Sequence, residues 1–228
     1  MNSTVFTQTD LVRARKVNAP VDIASARITV AKRLFDVLSA SALLLLVAPL
    51  MLVIYLLVRL DGGPAVFAHR RVGQNGRPFD CLKFRSMFTH SATRLEVLLN
   101  TDAGARAEWA RDHKLRHDPR VTPFGRFLRT SSLDELPQLI NIILGDMSVV
   151  GPRPIVQDEV PRYGSQFVHY CRSRPGLTGL WQISGRNNVS YQRRVAMDVI
   201  YARHSSFLFD LKIVCLTIPA VLTAKGSS

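Results

Sequence analysis

Two adjacent acids, Asp134 and Glu135, lie in the stretch RTSSLDELPQLINIILGDMSVVGPRP, which runs from Arg129 to Pro154. A carboxylate at the positive end of a helix is held ionised, which makes it available as a metal ligand or as a nucleophile. The sequence puts the pair at such an end. Leu136, Leu139, Ile140 and Ile143 recur at helical spacing, so a helix is expected from about Asp134 to Leu144, closed by Gly145. Pro137 fixes its start, because a proline is tolerated only in the first turn, where the N–H has no partner. Ordinary helix chemistry accounts for the same residues: Ser132 followed three residues later by Glu135 fits a capping box. The surroundings decide between the two readings.

Those surroundings are basic. DPRVTPFGRFLR, from Asp118 to Arg129, reads as turns and a short helix that carries Arg126 and Arg129 up to the acids. Earlier, Asp61-Gly-Gly-Pro64 turns the chain into an extended segment, Ala65 to His69, and Gly73 and Gly76 make a second turn. PFDCLKFR, from Pro78 to Arg85, then alternates like a strand. Lys83 and Arg85 share one face of it, an arrangement that holds a phosphate or leaves two solvated cations. Ser91 to His117 is a polar amphipathic helix interrupted near Gly104, and His113 and His117 read as surface residues, since no third ligand stands at a zinc-binding offset.

Beyond the acid helix come the turn Gly151-Pro-Arg-Pro154, a short helix near Gln157 to Tyr163, and SRPGLTGLWQISGRN from Ser173 to Asn187. Gly and Pro interleaved with Arg172, Arg174 and Arg186 predict a rigid basic surface of exposed backbone N–H groups, which suits a diphosphate. Trp181 either stacks on a base or joins a core with Leu180 and Ile183. Tyr191 to His204 is expected to be helical, with Asp198 and Arg194 paired one turn apart. The apolar tail from Ser206 to Ala224 is too short to span a bilayer and either lies in the membrane interface or packs as a core helix.

In 228 residues there is room for one ordinary domain and an attachment. Thirty Lys and Arg against 17 Asp and Glu give +13, an excess that points to a polyanion: nucleic acid, anionic headgroups or a phosphorylated substrate. Cys81, Cys171 and Cys215 are odd in number, far apart and free of CxxC spacing, so they read as thiols in a reducing compartment and exclude a disulfide frame or a zinc site. Residues 1–30 show no sustained period and are expected to form a disordered arm, with no secretory cleavage site.

Val37 to Val58 is a run of 22 uncharged residues. Its length suits a bilayer crossing, and a transmembrane helix kinked at Pro49 is one reading. Basic flanks favour another. Residues 1–33 hold six Lys and Arg against two acids, and residues 59–90 hold six against two, so both ends are expected on the cytoplasmic face. A helix that breaks at Pro49, dips into one leaflet and returns satisfies both facts.

KRLFDVL entering the proline-broken apolar segment, LKFRSM, SLDELPQLINIILGDMSVVGPRP, and RPGLTGLWQISGRN followed by an apolar tail occur in that order. Together, from about residue 31 to 224, they resemble the bacterial sugar transferase family, the monotopic polyprenyl-phosphate phosphoglycosyltransferases, and most closely its exopolysaccharide-priming members that transfer galactose 1-phosphate. The resemblance implies a re-entrant membrane helix, a catalytic face on the cytoplasmic side of the bacterial inner membrane, a UDP-sugar donor, Mg2+ and a polyprenyl phosphate acceptor, usually undecaprenyl phosphate. It makes Asp134 the nucleophile and Glu135 its partner acid, the two also serving as metal ligands, and gives Lys83, Arg85, Arg129, Arg153 and Arg174 phosphate-holding positions. One departure is visible: many members have Ser-Pro at the membrane break where this chain has Ala48-Pro49, so Ser39, Ser41 or a neighbouring helix must bond the carbonyl that the proline frees.

The expected fold is α-rich α+β: a disordered arm over residues 1–30, a re-entrant helix-break-helix over 31–60, and a cytoplasmic catalytic domain over 61–224 with interfacial helices and short strands. Membrane lipids are expected partners, nucleic acid is not, and a homodimer is a candidate assembly. Glucose 1-phosphate is the alternative cargo. The rival from another class is a non-catalytic, membrane-tethered polyanion binder, which gives no reason for adjacent acids among arginines.

Overall fold

The apolar run forms a single helix, α1 (Ile23–Arg59), and the rest of the protein is laid along one side of it. The computed structural model describes residues 23–112, 115, 118–184 and 190–222. Residues 1–22 of the expected arm, His113, His117 and Arg186 lie outside these. Helix α1 starts inside the stretch expected as an arm, and it continues through Pro49 where a break between two legs was expected. Packing explains the continuity. Asp36, Ala40, Leu44, Val47, Met51, Ile54 and Val58, spaced by three and four, all face the body and pass the proline without a change of face. The helix thus continues past Pro49, with residues on both sides of it packed on the body. Ser39 is not the compensating group: its hydroxyl donates to Phe35 O at 2.6 Å, upstream of the break.

The opposite face of α1 is bare. Leu38, Leu45, Leu46, Leu52, Val53 and Leu56 are all exposed, and the segment Val30–Arg59, with mean hydropathy 2.7, is long and apolar enough to cross a membrane. Its polar end is tied down. Lys32 donates to Val150 O, Tyr201 Oη and Asp210 Oδ2 at 3.1, 3.3 and 2.5 Å, and Asp36 accepts from Ser148 Oγ and Val149 N, both at 3.0 Å. Arg33 donates to Ile142 O and Ile143 O at 2.5 and 2.7 Å.

Strands β1 (Val66–Val72) and β2 (Pro78–Phe84) form an antiparallel hairpin with Phe67 opposite Lys83 and Arg71 opposite Phe79. Asn75 and Gly76, both at positive φ, close its turn. Two helices follow, α2 (Ser91–Thr101) and α3 (Ala103–Asp112), parted at Asp102 close to the expected interruption. After them α4 (Pro123–Thr130) leads to the acids and α5 (Gln138–Leu144). Asn141 of α5 docks on the free edge of β2, accepting from Leu82 N at 2.9 Å and donating to Asp80 O at 2.8 Å. Below that contact Leu139, Ile142 and Met147 pack with Phe79, Cys81 and Ala40. Hairpin, acid segment and α1 thus share one core.

The second half adds β3 (Ser148–Val150), α6 (Val160–Tyr163), α7 (Phe167–Arg172), β4 (Gly176–Thr178), α8 (Leu180–Ile183), α9 (Tyr191–His204) and α10 (Phe207–Leu222). Strands β3 and β4 are parallel and short. They correct the expectation of exposed N–H groups in this region: Ser148 N, Gly151 N and Gly176 N donate to Pro175 O, Thr178 O and Pro152 O. The crossing is so close that a Cβ on Gly176 would lie 2.0 Å from Gly151 N, so no side chain fits there. Helix α9 has the expected bounds, but Asp198 accepts from Tyr163 Oη at 2.7 Å and Arg194 lies over the Trp181 ring, so the expected pair gives way to two tertiary contacts. Helix α10 packs Ile213 and Asp210 inward and leaves Leu208, Leu211 and Leu216 exposed. Its inner face thus packs as a core helix, one of the two roles left open for the tail.

Candidate active site

Asp134 and Glu135 sit in a single 3-10 turn, Leu133–Glu135, entered through Ser132 at φ 58°. Helix α5 begins four residues after Asp134, with Pro137 as its first flanking residue, and Gly145 closes it in the left-handed conformation. The helix thus starts later than the sequence suggests, and Ser132 makes no capping hydrogen bond. The tight turn has a chemical consequence. Asp134 is turned inward and buried, while Glu135 stays half-exposed.

Burial pushes the Asp134 carboxyl up to about 6; the Lys83 cation pulls it down, Glu135 pushes it up, and Arg129 and a backbone hydrogen bond pull it down. The helix end expected to hold it ionised starts four residues farther along, so desolvation dominates and raises the carboxyl above its ordinary range. A carboxyl so placed is ionised at neutral pH but poorly solvated, which suits a nucleophile more than a surface anion.

Lys83 reaches Glu135 Oε1 at 2.6 Å from the neighbouring strand. Arg129, on the last turn of α4, is exposed as a residue, yet its Nε donates to the buried Ser86 Oγ at 2.8 Å. Asp134 and Asp118 both stabilise its charge against desolvation. Asp118 is itself held ionised by hydrogen bonds from Arg120 despite partial burial. Sequence reasoning placed Lys83 and Arg129 near the acids but missed Ser86 and Asp118. Ser86 follows Arg85 directly in LKFRSM, so its place at the strand end was the available signal.

The other three expected phosphate holders are placed differently. Arg85 braces the end of α1, donating to Val58 O and Pro64 O, each at 2.8 Å, and pairing with Asp61. Its donors are directed at the helix end, so the strand face it shares with Lys83 does not bring the two heads together. Arg153 lies over Trp181, 5.5 Å from the ring centroid, and Arg194 lies over the same ring at 4.9 Å. Trp181 is thus a core residue covered by two guanidiniums. Arg153 also lowers the pKa of Arg71, after burial, and Arg71 in turn acts on His69, whose pKa falls through burial, then Arg71 and Lys83. A basic track on the hairpin therefore runs from Lys83 through His69 and Arg71 toward Arg153. Arg174 stands apart, lining a cavity of about 430 Å³ with Val30, Arg33, Leu34 and Val37.

Two carboxylates are what a small hard cation needs when substrate phosphates complete its shell. Asp134 and Glu135 fit that demand, Glu135 being accessible beside Lys83. Among the described residues no cluster of three or more His, Cys, Asp or Glu is present, so a divalent ion here would take its remaining ligands from phosphate and water.

Comparison with known proteins places the chain in a family. The profile of the family described as bacterial sugar transferase matches residues 27–224. The exopolysaccharide production protein ExoY of Rhizobium meliloti (strain 1021) is 57% identical over 198 residues, covering 86% of this chain and 88% of that one. The undecaprenyl-phosphate galactose phosphotransferase of Salmonella typhimurium is 48% identical over 196 residues, 86% of this chain and 41% of that longer protein. A UDP-glucose:undecaprenyl-phosphate glucose-1-phosphate transferase of Caulobacter vibrioides is 40% identical over 205 residues, covering 86% of this chain and 71% of its own length.

Proposed function

The chain belongs to the bacterial sugar transferase family, and we propose that it moves galactose 1-phosphate from UDP-galactose to undecaprenyl phosphate, priming exopolysaccharide synthesis, with Asp134 as nucleophile. The observation that carries this reading is a buried carboxyl, poised at about 6, with Lys83 and Arg129 acting on its charge. A carboxylate oxygen of Asp134 attacks the sugar-bearing phosphorus, and the bond from that phosphorus to the bridging oxygen breaks. UMP leaves with the electron pair, and the sugar phosphate stays on Asp134 as an acyl phosphate. An oxygen of the polyprenyl phosphate then attacks the same phosphorus, freeing Asp134 and giving a sugar-linked lipid diphosphate. Each step brings anions together, so Lys83, Arg129 and Arg153 bind and orient phosphate oxygens. Magnesium, held through Asp134 and Glu135, supplies further charge neutralisation when bound.

The first half-reaction needs no lipid. Purified enzyme with Mg2+ and UDP-galactose is expected to exchange labelled UMP into UDP-galactose, and Asp134→Asn to abolish the exchange. Transfer that proceeds in the wild type without any exchange would replace this reading with direct attack by the lipid phosphate. Glucose 1-phosphate is the second reading, motivated by the glucose-specific name of the Caulobacter relative; the ratio of exchange rates with the two UDP-sugars decides it.

The same fold supports one membrane arrangement for this reading. Both ends of α1 are fastened to one body, Lys32 to Asp210 at its start and Val58 O to Arg85 at its end. A crossing helix would carry those ends to opposite sides of about 30 Å of hydrocarbon. In this reading the helix is seated in one leaflet of the inner membrane, bare face to the lipid, with both ends cytoplasmic. Single cysteines introduced at Ser25 and Gln74 are both expected to be shielded from an impermeant reagent in intact cells; labelling at one alone would mean a crossing.

A further inference from the structure

We propose that Ser86 is a positioning residue of the transfer reaction: its hydroxyl sets the plane of the Arg129 guanidinium beside Asp134, so that the arginine meets the transferring phosphoryl group in one orientation. The proposal rests on the reading of Asp134 as the reacting group.

Helix α4 is docked by its backbone. Thr122 N donates to Ser86 O at 3.1 Å, and Phe88 N donates to Arg120 O at 2.9 Å, which extends the end of β2 into a short pairing with the residues before the helix. Thr122 also caps α4, its hydroxyl accepting from Gly125 N at 2.8 Å. At Gly125 the helix touches Ser86 so closely that a Cβ would lie 2.0 Å from Ser86 O. Only glycine permits this approach. Arg129 is one turn beyond Gly125 on the same face of α4, so the contact that needs glycine also brings Arg129 over Ser86.

The Ser86 side chain takes no part in that docking. Thr122 and Gly125 engage the Ser86 carbonyl, while the hydroxyl, on a residue only 5% exposed, accepts from Arg129 Nε at 2.8 Å. An exposed arginine samples many rotamers, and side-chain entropy opposes holding it in one. A fixed acceptor at Nε removes rotation about the end of the side chain, and the planar fork is then aimed by the protein instead of by solvent. Asp134 and Asp118 both act on Arg129 electrostatically, but such pulls do not depend on the tilt of the guanidinium plane in the way a hydrogen bond to Nε does. The serine hydroxyl is thus the contact that fixes the Nε edge of the guanidinium.

The test reads UMP exchange and lipid transfer on full-length protein in nanodiscs. Ser86→Ala is expected to lower kcat about ten- to a hundredfold in both half-reactions, with KM changed much less and the thermal midpoint kept. Ser86→Thr, which retains the hydroxyl, should recover most of the rate. In the Arg129→Lys background Ser86→Ala should cost nothing further, because the group it aims is gone. The proposal is overturned if Ser86→Ala turns over at the wild-type rate, or if its loss multiplies with that of Arg129→Lys. A Ser86→Thr protein as impaired as Ser86→Ala, with its midpoint also lowered, would make Ser86 a packing residue only. If the wild type shows transfer without exchange, the covalent reading fails by itself, and the same cycle read on transfer decides the role of Ser86.

Discussion

Two lysine–carboxylate clusters in this protein have similar parts and opposite character. Lys32 and Asp210 form a closed set: the ammonium donates to a carboxylate, a hydroxyl and a carbonyl, and the other oxygen of Asp210 accepts from Tyr201 Oη at 2.8 Å. Asp210 is 1% exposed. Lys83 and Glu135 also meet closely, at 2.6 Å, and the two lysines are about equally exposed, but the Glu135 side chain is 38% exposed against 2% for Asp210, and the neighbouring Asp134 is buried against its own ionisation. At Lys32 the ammonium's three partners all belong to the fold. At the acid turn the cations remain within reach of an incoming phosphate, and the carboxyl they face is raised in reactivity by being poorly solvated.

This contrast can be broken by exchanging its terms. The largest effect is expected from Asp134→Asn, which should lower both exchange and transfer about a thousandfold or more, with a thermal midpoint within a degree or two of wild type. A variant that loses stability in proportion to activity would erase the distinction. Asp210→Asn should give the mirror image. Removing one partner of a buried pair leaves the other uncompensated and costs about 3 kcal/mol or more, while the turnover of the folded fraction stays within a few-fold of wild type. Denaturant melts paired with active-site titration separate the two numbers.

The pH dependence sharpens the comparison further and is the smallest effect. With its carboxyl raised to about 6 in the folded protein from an ordinary 3.8, Asp134 should lose activity as pH falls through about 6. Its effect on stability has the opposite sign: between those two values the folded protein binds more protons than the unfolded chain, so this group makes folding more favourable as pH falls from about 7 to 4. The span is at most about 3 kcal/mol. Because Asp198 is likewise raised, to about 7, chiefly by burial, the measurement is the difference in slope between wild type and Asp134→Asn. Equal slopes in the two proteins would show that Asp134 is solvated like an ordinary surface acid.

Much of the local structure was legible because it rests on local causes. Tyr191 to His204 has the helical bounds read from its pattern, Gly145 closes α5 by a left-handed φ of 97°, and Gly73 to Gly76 turns the hairpin. What escaped was long-range. Strands β3 and β4 have three residues each, too few to show alternation, and exist because Gly151 and Gly176 can nearly touch. Their pairing consumed the N–H groups that composition suggested were open to a ligand. Arg85 and Asp198 look like surface charges in sequence, yet each serves a distant element, the end of α1 and the Tyr163 hydroxyl. At the acid turn, periodicity could not reveal that the chain enters at positive φ and turns Asp134 inward, so burial replaced the helix dipole as the force acting on it.

The Lys32–Asp210 contact also carries a timetable. Its partners are 178 residues apart, and at about 5–20 residues per second the ribosome needs roughly ten to thirty-five seconds to make the acid after the lysine. Helix α1 emerges long before α10, the element that fastens its polar end. During that interval Lys32 can meet Val150 and Tyr201 as they emerge, but not the acid that neutralises it.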